Sequence, residues 1–222
     1  VGVADTAGGT RHAFLYSDGN MTDLGTLGGR TRSAHGINTG GQVVGGADNA
    51  GRSAGGRNRR GYISGGGKMT DLGGLPGSAS SSHAYRINSG GQVVGASGPR
   101  AFLYTGGEMF DLGTSGIPLR SKRTYLSSPK TPYIASDAYG INGRGQVVGY
   151  VRHPGSTPLQ TRAFLYDSGK VTELGFLPGG SWSLACAVNN RGEVVGYADA
   201  ASGSTHAFLY ADGKMADLGT LG

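Results

Sequence analysis

Acidic side chains recur at one position of a repeated pattern, where they could act as metal ligands or as general acids and bases. An Asp or Glu stands before Leu-Gly five times, at Asp23, Asp71, Asp111, Glu173 and Asp217. An Asn recurs with similar regularity, at Asn38, Asn88, Asn142 and Asn189. Each position adjoins a turn, where a short polar side chain accepts hydrogen bonds from backbone N–H groups. We therefore predict that both sets are structural.

Histidine and cysteine give no pattern of a metal or nucleophile site. The histidines lack the spacing of zinc ligands and stand at His12, His35, His83, His153 and His206. A lone Cys186 supplies neither a thiolate cluster nor an intrachain disulfide. It replaces the His35, Tyr85 or Tyr139 of other copies, which indicates a packing position. There is no Gly-x-Ser-x-Gly elbow and no phosphate-binding glycine loop, so we expect no catalytic residue, no metal and no cofactor.

Residues that vary between copies are the candidates for ligand binding. Arg86 replaces the Gly36 and Gly140 of sibling copies, while His83 and Asp137 have no repeated counterpart. The predicted binding set comprises His83, Tyr85, Arg86, Asp137, Tyr139 and Trp182.

Trp182 is the only tryptophan and follows a Pro-Gly-Gly segment. Exposed, and together with Tyr125, Tyr133 and Tyr139, it would stack on sugar rings. The alternative is that Trp182 caps a neighbouring repeat.

The charge is +6, and the basic excess is local. We predict a basic patch from two loops, at Arg57, Arg59, Arg60, Arg120, Lys122 and Arg123. Such a patch could bind an anionic polymer, of which acidic polysaccharide fits better than nucleic acid. The alternative, which we favour, is a pair of solvated loops.

Two hairpin patterns must position these residues. The first reads Ile-Asn-x-x-Gly-Gln-Val-Val-Gly at 37–45, 87–95 and 141–149, and recurs weakened at 188–196. The second has an Ala-Phe-Leu-Tyr strand, a turn such as Asp18-Gly19 and a strand ending in Leu-Gly, and it occurs five times. No stretch has helical spacing and no run of about 18 apolar residues occurs, so we expect almost no helix and no membrane span.

Four short strands recurring about every 45 residues are typical of a propeller blade. We predict an all-β propeller of about five four-stranded blades in a single repeat domain, residues 1–222. The expected blades are residues 1–25, 33–73, 82–113, 135–175 and 183–219. Residues 1–25 form a partial blade that lacks its inner strand, because only four copies of the first hairpin are complete. The ends either meet in this blade or belong to a longer array.

The segments Thr205–Tyr210, Asp217–Gly222 and Ile37–Gly45 resemble the bacterial extracellular HAF-repeat family, named for its His-Ala-Phe triplet. The resemblance covers nearly the whole chain. It implies a secreted or cell-surface bacterial protein with a propeller-like fold, and it implies no reaction. Since Arg100, Arg162 and Gly61 stand where His12 and His206 stand, we interpret the triplet histidine as neither ligand nor catalyst.

These observations favour a binding or structural module without catalysis, located outside the cell and recognising glycans or a surface polymer. One alternative is a polysaccharide-active enzyme, which needs two carboxylates facing each other across a cleft. Another is a self-assembling extracellular protein, because the incomplete blade presents an open strand edge for self-association.

Overall fold

The computed structural model describes residues 1–53, 56–76, 81–112, 135–153 and 160–220, without the side chains at 30, 31, 50–53 and 56–58. Within these ranges the chain folds into 19 strands joined by turns, and it contains no helix. This agrees with a sequence rich in glycine turns and free of helical periodicity.

The strands form five sheets in chain order, each a meander of consecutive strands. Blade 1 has three strands, β1 (Gly2–Asp5), β2 (Arg11–Ser17) and β3 (Asn20–Asp23). Blade 2 contains β4 (Gly28–Ile37), β5 (Val43–Ser53), β6 (Gly56–Gly65) and β7 (Lys68–Asp71). Blade 3 contains β8 (Ser82–Ile87), β9 (Val93–Ser97), β10 (Arg100–Thr105) and β11 (Glu108–Asp111). The described part of blade 1 therefore lacks a strand before β1, as the sequence predicts.

The two remaining blades have the same four-stranded order. Blade 4 contains β12 (Ala135–Ile141), β13 (Val147–Arg152), β14 (Thr161–Asp167) and β15 (Lys170–Gly175). Blade 5 contains β16 (Ser183–Val188), β17 (Val194–Asp199), β18 (Thr205–Ala211) and β19 (Lys214–Gly219).

Left-handed turns close the second hairpin of the blades. In blade 1, Asp18 and Gly19 have φ angles of 51° and 80°; Asp212 and Gly213 in blade 5 have 51° and 77°. Two consecutive positive φ angles produce a type I′ turn, whose twist matches that of the flanking strands. The turn predicted at Asp18-Gly19 is thereby confirmed.

The Val-Val-Gly segment begins the second strand of the four-stranded blades. Its valines in blades 2, 3 and 4 are fully buried, at Val43, Val44, Val93, Val94, Val147 and Val148. Since neighbouring residues of a strand point to opposite faces, both faces of these strands are covered. The glycine allows close approach of the first strand: a Cβ on Gly149 would lie 1.9 Å from the carbonyl oxygen of Asp137.

The chain divides into two compact units. Unit 1 comprises Val1–Gly98 and Leu103–Phe110, and unit 2 comprises Pro99–Phe102 and Asp111–Gly222. The described core of unit 1 includes Ala13, Ala47 and Tyr62. The described core of unit 2 is formed by Val148, Ala163, Leu174, Leu177, Ala185, Val194, Ala198 and Phe208.

Serine hydroxyls join consecutive blades within each unit. The Oγ of Ser183, which is fully buried, accepts the N–H of Ala163 at 2.9 Å and donates to the carbonyl of Gly175 at 2.6 Å. Ser82 makes the equivalent pair of bonds in unit 1. One hydroxyl thus fixes the first strand of a blade to the outer strands of the preceding blade.

The loop predicted to carry Arg57, Arg59 and Arg60 is largely strand. β5 continues to Ser53 and β6 begins at Gly56, so the hairpin extends well beyond the Val-Val-Gly segment. Asp48 pairs with Arg59 in this ladder. Strand pairing that begins at Val43 continues through residues of low strand propensity. The composition of the segment does not predict this continuation.

Candidate functional site

The repeated acids hold the turn that follows the last strand of a blade. Oδ1 of Asp71 accepts the N–H of Gly73 at 2.7 Å. Asp23 and Asp217 accept the corresponding N–H at 3.0 and 2.7 Å. These bonds confirm the structural interpretation for Asp23, Asp71 and Asp217.

A basic side chain eleven residues earlier also bonds four of the acids. The pairs are His12 with Asp23 (2.5 Å), Arg100 with Asp111 (3.0 Å), Arg162 with Glu173 (2.9 Å) and His206 with Asp217 (2.9 Å). Each pair bridges two neighbouring strands of one blade. The sequence shows both residues but not that they meet.

The strand register corrects one assignment. Gly61 lies opposite Gly46, just as Ala207 lies opposite Tyr197, so Gly61 has the place of the triplet alanine. Arg60, and not Gly61, stands where His12 stands. The triplet position is therefore basic in all five copies, with His12, Arg60, Arg100, Arg162 and His206.

Hydrogen bonding favours the ionised form of Asp23 and Asp217. Burial raises the pKa of Asp23, but the bonds from His12 and Gly25 outweigh it and hold that pKa below its ordinary value. The N–H of Gly219 and the His206 ring lower the pKa of Asp217. Asp23 and Asp217 are therefore charged at neutral pH, and their hydrogen bonds hold strands and turns together.

Arg32 extends the first of these pairs into a network. It is 1% exposed, donates to the carbonyl of Gly25 and contacts Nε2 of His12 through Nη2 at 3.1 Å. Because a guanidinium only donates, Nε2 accepts and Nδ1–H of His12 donates to Asp23. Thr10 Oγ1 lies 3.2 Å from the same Nε2, so Thr10, His12 and Asp23 are arranged like the nucleophile, base and acid of a catalytic triad. His12 is not available as a base for Thr10, because its Nε2 lone pair accepts the hydrogen bond from Arg32.

The recurrent asparagines link turns as well as closing them. Oδ1 of Asn38 accepts the N–H of Gln42 at 3.0 Å, and its amide donates to the carbonyl of Asn88 at 3.1 Å. In unit 2 the amide of Asn142 donates to the carbonyl of Asn189 at 2.8 Å. The structural interpretation of the asparagines is confirmed, with an added bond between blades.

Asp137 and Tyr139 come together in unit 2 with two residues that the sequence did not single out. Oδ2 of Asp137 accepts the hydroxyl of Tyr150 at 2.9 Å and that of Tyr139 at 3.1 Å. The two rings are 6.0 Å apart and tilted by 39°. The guanidinium of Arg152 lies 5.7 Å from the centre of the Tyr150 ring.

The strand register explains this grouping. β12 and β13 place Asp137 opposite Tyr150, and Ala135 opposite Arg152. Tyr150 and Arg152 follow the Val-Val-Gly segment by one and three positions, so they share a face of β13. The spacing of Tyr150 and Arg152 after the Val-Val-Gly segment is visible in the sequence. Only the strand register, however, shows that they lie beside Asp137.

Two polar groups of this cluster have no partner among the residues that the structure describes. The Nε of Arg152 is buried without a hydrogen bond. Oδ1 of Asp137 likewise accepts no bond within the described ranges, since both phenols donate to Oδ2. A guanidinium donor and a carboxylate acceptor therefore stand beside two aromatic rings.

Trp182 lies elsewhere in unit 2, in the segment before β16. Its ring meets that of Tyr197 edge-on, with centroids 5.7 Å apart, and Tyr197 is 39% exposed. Asp199 fixes the segment by accepting the N–H groups of Ser181 and Trp182, each at 2.7 Å. Burial raises the pKa of Asp199, but these bonds bring it below its ordinary value. Trp182 thus packs against its own blade.

His83, Tyr85 and Arg86 lie on β8 in unit 1, beside His35 of β4. The Tyr85 ring lies 5.9 Å from that of His35 and 6.3 Å from that of His83. Arg86 is exposed and donates to the carbonyls of Tyr85 and His35, at 2.9 and 3.1 Å. Burial lowers the pKa of His35, and the charges of Arg59 and Arg86 lower it further, so its ring is neutral.

The predicted basic patch is described only in part. Arg59 and Arg60 are half-buried on β6 rather than solvated in a loop. Arg59 donates to Ser33 Oγ at 2.5 Å, and its buried Nε has no partner among the described residues. The Arg57 side chain lies outside the described residues, as do Arg120, Lys122 and Arg123 with Tyr125 and Tyr133.

No group of three or more His, Cys, Asp or Glu side chains in the described ranges is arranged to hold a metal ion. A cavity of about 290 Å³ lies on blade 5, lined by Ala187, Val188, Asn189, Glu193, Val195 and Leu209. It contains none of the predicted binding residues. The described residues also include no helix long and apolar enough to cross a bilayer.

One family profile matches part of the sequence. The sequence profile of a family described as "Protein of unknown function (DUF3466)" matches residues 68–177. No curated protein matches the chain.

Among solved structures, the β-propeller domain of the trilobed protease from Pyrococcus furiosus is similar, with a TM-score of 0.56 and 13% identity. The match covers 98% of this chain and 64% of that one, whose topology is described as an open velcro. A puromycin-hydrolysing peptidase of Mycobacterium tuberculosis has a TM-score of 0.52 at 13% identity, over 91% of this chain and 31% of that one. The chain thus spans less than two thirds of either structure. The fold is a β-propeller.

Proposed function

We propose that the chain is a glycan-binding β-propeller module without catalytic activity, and that unit 2 binds the glycan around Asp137. The observation that carries this proposal is the carboxylate of Asp137 held by the hydroxyls of Tyr139 and Tyr150. Two bonds to one oxygen fix the orientation of the carboxylate and leave Oδ1 without a bond from either phenol. Arg152 adds a donor over the Tyr150 ring.

Sugars match this set of groups. A pyranose ring has hydroxyls that both donate and accept around its edge, and C–H faces that pack on aromatic rings. Asp137 supplies the acceptor, Arg152 the donor, and the two tyrosines the ring faces. The exposed Tyr197 with Trp182 supplies a further aromatic surface in the same unit.

Glycan binding fits better than glycoside hydrolysis. A hydrolase uses two carboxyl groups roughly 5 to 10 Å apart. The described partners of Asp137 are tyrosine hydroxyls, and Asp199 is committed to backbone N–H groups of its own blade. The net charge of +6 favours acidic polysaccharides among the glycans.

The resemblance to HAF-repeat proteins supports an extracellular or cell-surface location in a bacterium, which is part of the proposal. Antibody labelling of intact cells checks it. Labelling that requires permeabilised cells would overturn the location and leave the binding site to its own test.

A polysaccharide array probed with the full chain, followed by calorimetry on the best binder, tests the function. Asp137→Asn keeps the size of the side chain and removes its charge, and it should weaken binding about tenfold or more, as for a hydrogen bond to a charged group. Trp182→Ala reports on the second aromatic surface. Tyr16→Phe is the control, because Tyr16 is 60% exposed in unit 1.

The variants must retain the circular dichroism and thermal transition of the parent chain. An array without a saturable binder would refute the function. A binder whose affinity is unchanged in both Asp137→Asn and Trp182→Ala would refute the site and leave glycan binding standing.

A further inference from the structure

We propose that unit 1 binds an oxyanion, the carboxylate or sulfate group of an acidic compound, between Arg59 of blade 2 and His83 of blade 3. The site lies at the residue that follows the Val-Val-Gly segment of blade 2, which is Gly46. The other four-stranded blades carry a larger residue at this position, namely Ala96, Tyr150 and Tyr197. Because Gly46 has no side chain, it leaves room for groups that reach in from the neighbouring strands.

Two nitrogen atoms converge on the side of Gly46 where a Cβ would stand. That Cβ would lie 2.8 Å from Nε of Arg59 and 3.4 Å from Nδ1 of His83. Arg59 comes from β6 and His83 from β8, so the two side chains converge at the junction of blades 2 and 3, within unit 1. Both residues are half-buried. An anion at this junction would be partly shielded from water, which strengthens its attraction to a guanidinium.

The guanidinium of Arg59 is held in place but keeps unused donors. Its Nη2 donates to Ser33 Oγ at 2.5 Å. Its Nε is buried without a partner among the described residues, and Nη1 makes no bond to them either. Buried donors in native proteins are nearly always paired, so the orphan Nε indicates a missing acceptor. The oxygens of a carboxylate or sulfate match the donor fork of a guanidinium and supply such an acceptor.

No described acidic side chain forms an ion pair with Arg59. All 14 acidic residues of the chain lie in the described ranges, and their ion pairs engage other bases. Asp48 faces Arg59 across the ladder of β5 and β6, yet the two are not paired. Burial lowers the pKa of His35, and the charges of Arg59 and Arg86 lower it further, so two positive charges act on the same ring. This uncompensated charge favours an anionic ligand.

The test is a titration of the full chain with sodium sulfate and, separately, with sodium glucuronate, at an ionic strength kept constant with sodium chloride. The signals of the backbone amides are followed by NMR. Saturable shifts are expected at Ser33, Gly46 and His83 with at least one of the two anions. Saturation by only one of them identifies the oxyanion that the site takes.

Three variants separate a built site from diffuse attraction to a basic protein. Arg59→Lys keeps the charge but not the fork of donors, and it should weaken binding about tenfold or more. Gly46→Ala changes no charge, but its Cβ would displace the flexible guanidinium that lies 2.8 Å away, and it should weaken binding about fivefold or more. Lys68→Gln is the control, because it removes one exposed charge of the same blade and should leave the affinity unchanged.

Three results would overturn the proposal. They are the absence of saturable shifts with both anions, an unchanged affinity in Arg59→Lys and Gly46→Ala, and a loss in Lys68→Gln as large as that in Arg59→Lys. Gly46→Ala decides alone if Arg59→Lys does not retain the circular dichroism of the parent chain. Glucuronate that shifts only signals around Asp137 would also overturn the proposal and leave the glycan site of unit 2 standing. Sulfate binding at Gly46 without any glycan binder would refute the function proposed for unit 2 alone.

Discussion

Replacing Gly149 with alanine should remove a large part of the stability of unit 2. The added Cβ would lie 1.9 Å from the carbonyl oxygen of Asp137 and 3.0 Å from the Cα of Ala138. Both atoms belong to the backbone of β12, which pairs with β13 along its length. Since no side-chain rotation relieves a contact with backbone, the two strands must move apart.

The size of the effect follows from that distance. Real Cβ atoms stay beyond about 3 Å from such neighbours, so the strands must separate by roughly 1 Å. Ladder bonds of about 2.9 Å then exceed their usual limit of about 3.2 Å. Losing two or three of them, together with strained packing, costs about 3 to 5 kcal/mol. This is a large share of the roughly 5 to 15 kcal/mol that stabilises a typical domain.

Trp182 provides the assay, because it is the only tryptophan and packs in unit 2 against Tyr197. Urea unfolding followed by its fluorescence should show a lower midpoint for Gly149→Ala. Gly143→Ala is the matched control in the same blade. Its nearest neighbour is a side-chain oxygen of Asn190 at 3.2 Å, and the change should shift stability by less than about 1 kcal/mol. Equal midpoints for the two variants would show that the β12–β13 register is wrong, and with it the place of Asp137.

Two further changes test other contacts. Burial and the charge of Arg59 lower the pKa of His35, so folding favours the neutral ring. The stability of the chain should therefore fall as pH drops below about 6.5, where an unfolded histidine binds a proton. His35→Asn retains a donor toward the carbonyl of Ala84 and should reduce the pH dependence of stability, measured from unfolding curves by circular dichroism. An unchanged dependence of stability on pH would contradict a neutral His35. Ser183→Ala leaves a buried N–H and a carbonyl unpaired and should cost about 2 kcal/mol in the Trp182 transition. The exposed Ser204→Ala should cost almost nothing, and a similar loss in both would contradict the role of Ser183 between blades.

The sequence predicted the hairpins well because they depend on neighbours in the chain. A left-handed turn needs residues such as Asp18-Gly19, and a strand covered on both faces needs consecutive apolar residues such as Val147-Val148. Both are local requirements. The turn roles of Asn142 and Asp217 follow for the same reason, since each bonds an N–H only a few residues away.

The candidate site depended on contacts that no local pattern shows. Asp137 was predicted because it has no repeated counterpart, and Tyr139 as a ring that would stack on sugars. Tyr150 joins them only because β13 pairs with β12 in one register. A slip of one residue would turn Tyr150 to the other face of the sheet. The pairing of Arg162 with Glu173 across two strands has the same origin.

By itself, the sequence determined the repeat, the hairpin turns and the all-β propeller, because each rests on spacing and on the conformations that single residues allow. The tertiary structure decided which residues meet: the tyrosines around Asp137, the basic partner of each paired acid, and the strand pairing that continues through Arg59. Those contacts arise between segments that are distant in the chain. Their geometry is set by register and close packing, which act only once the strands are assembled.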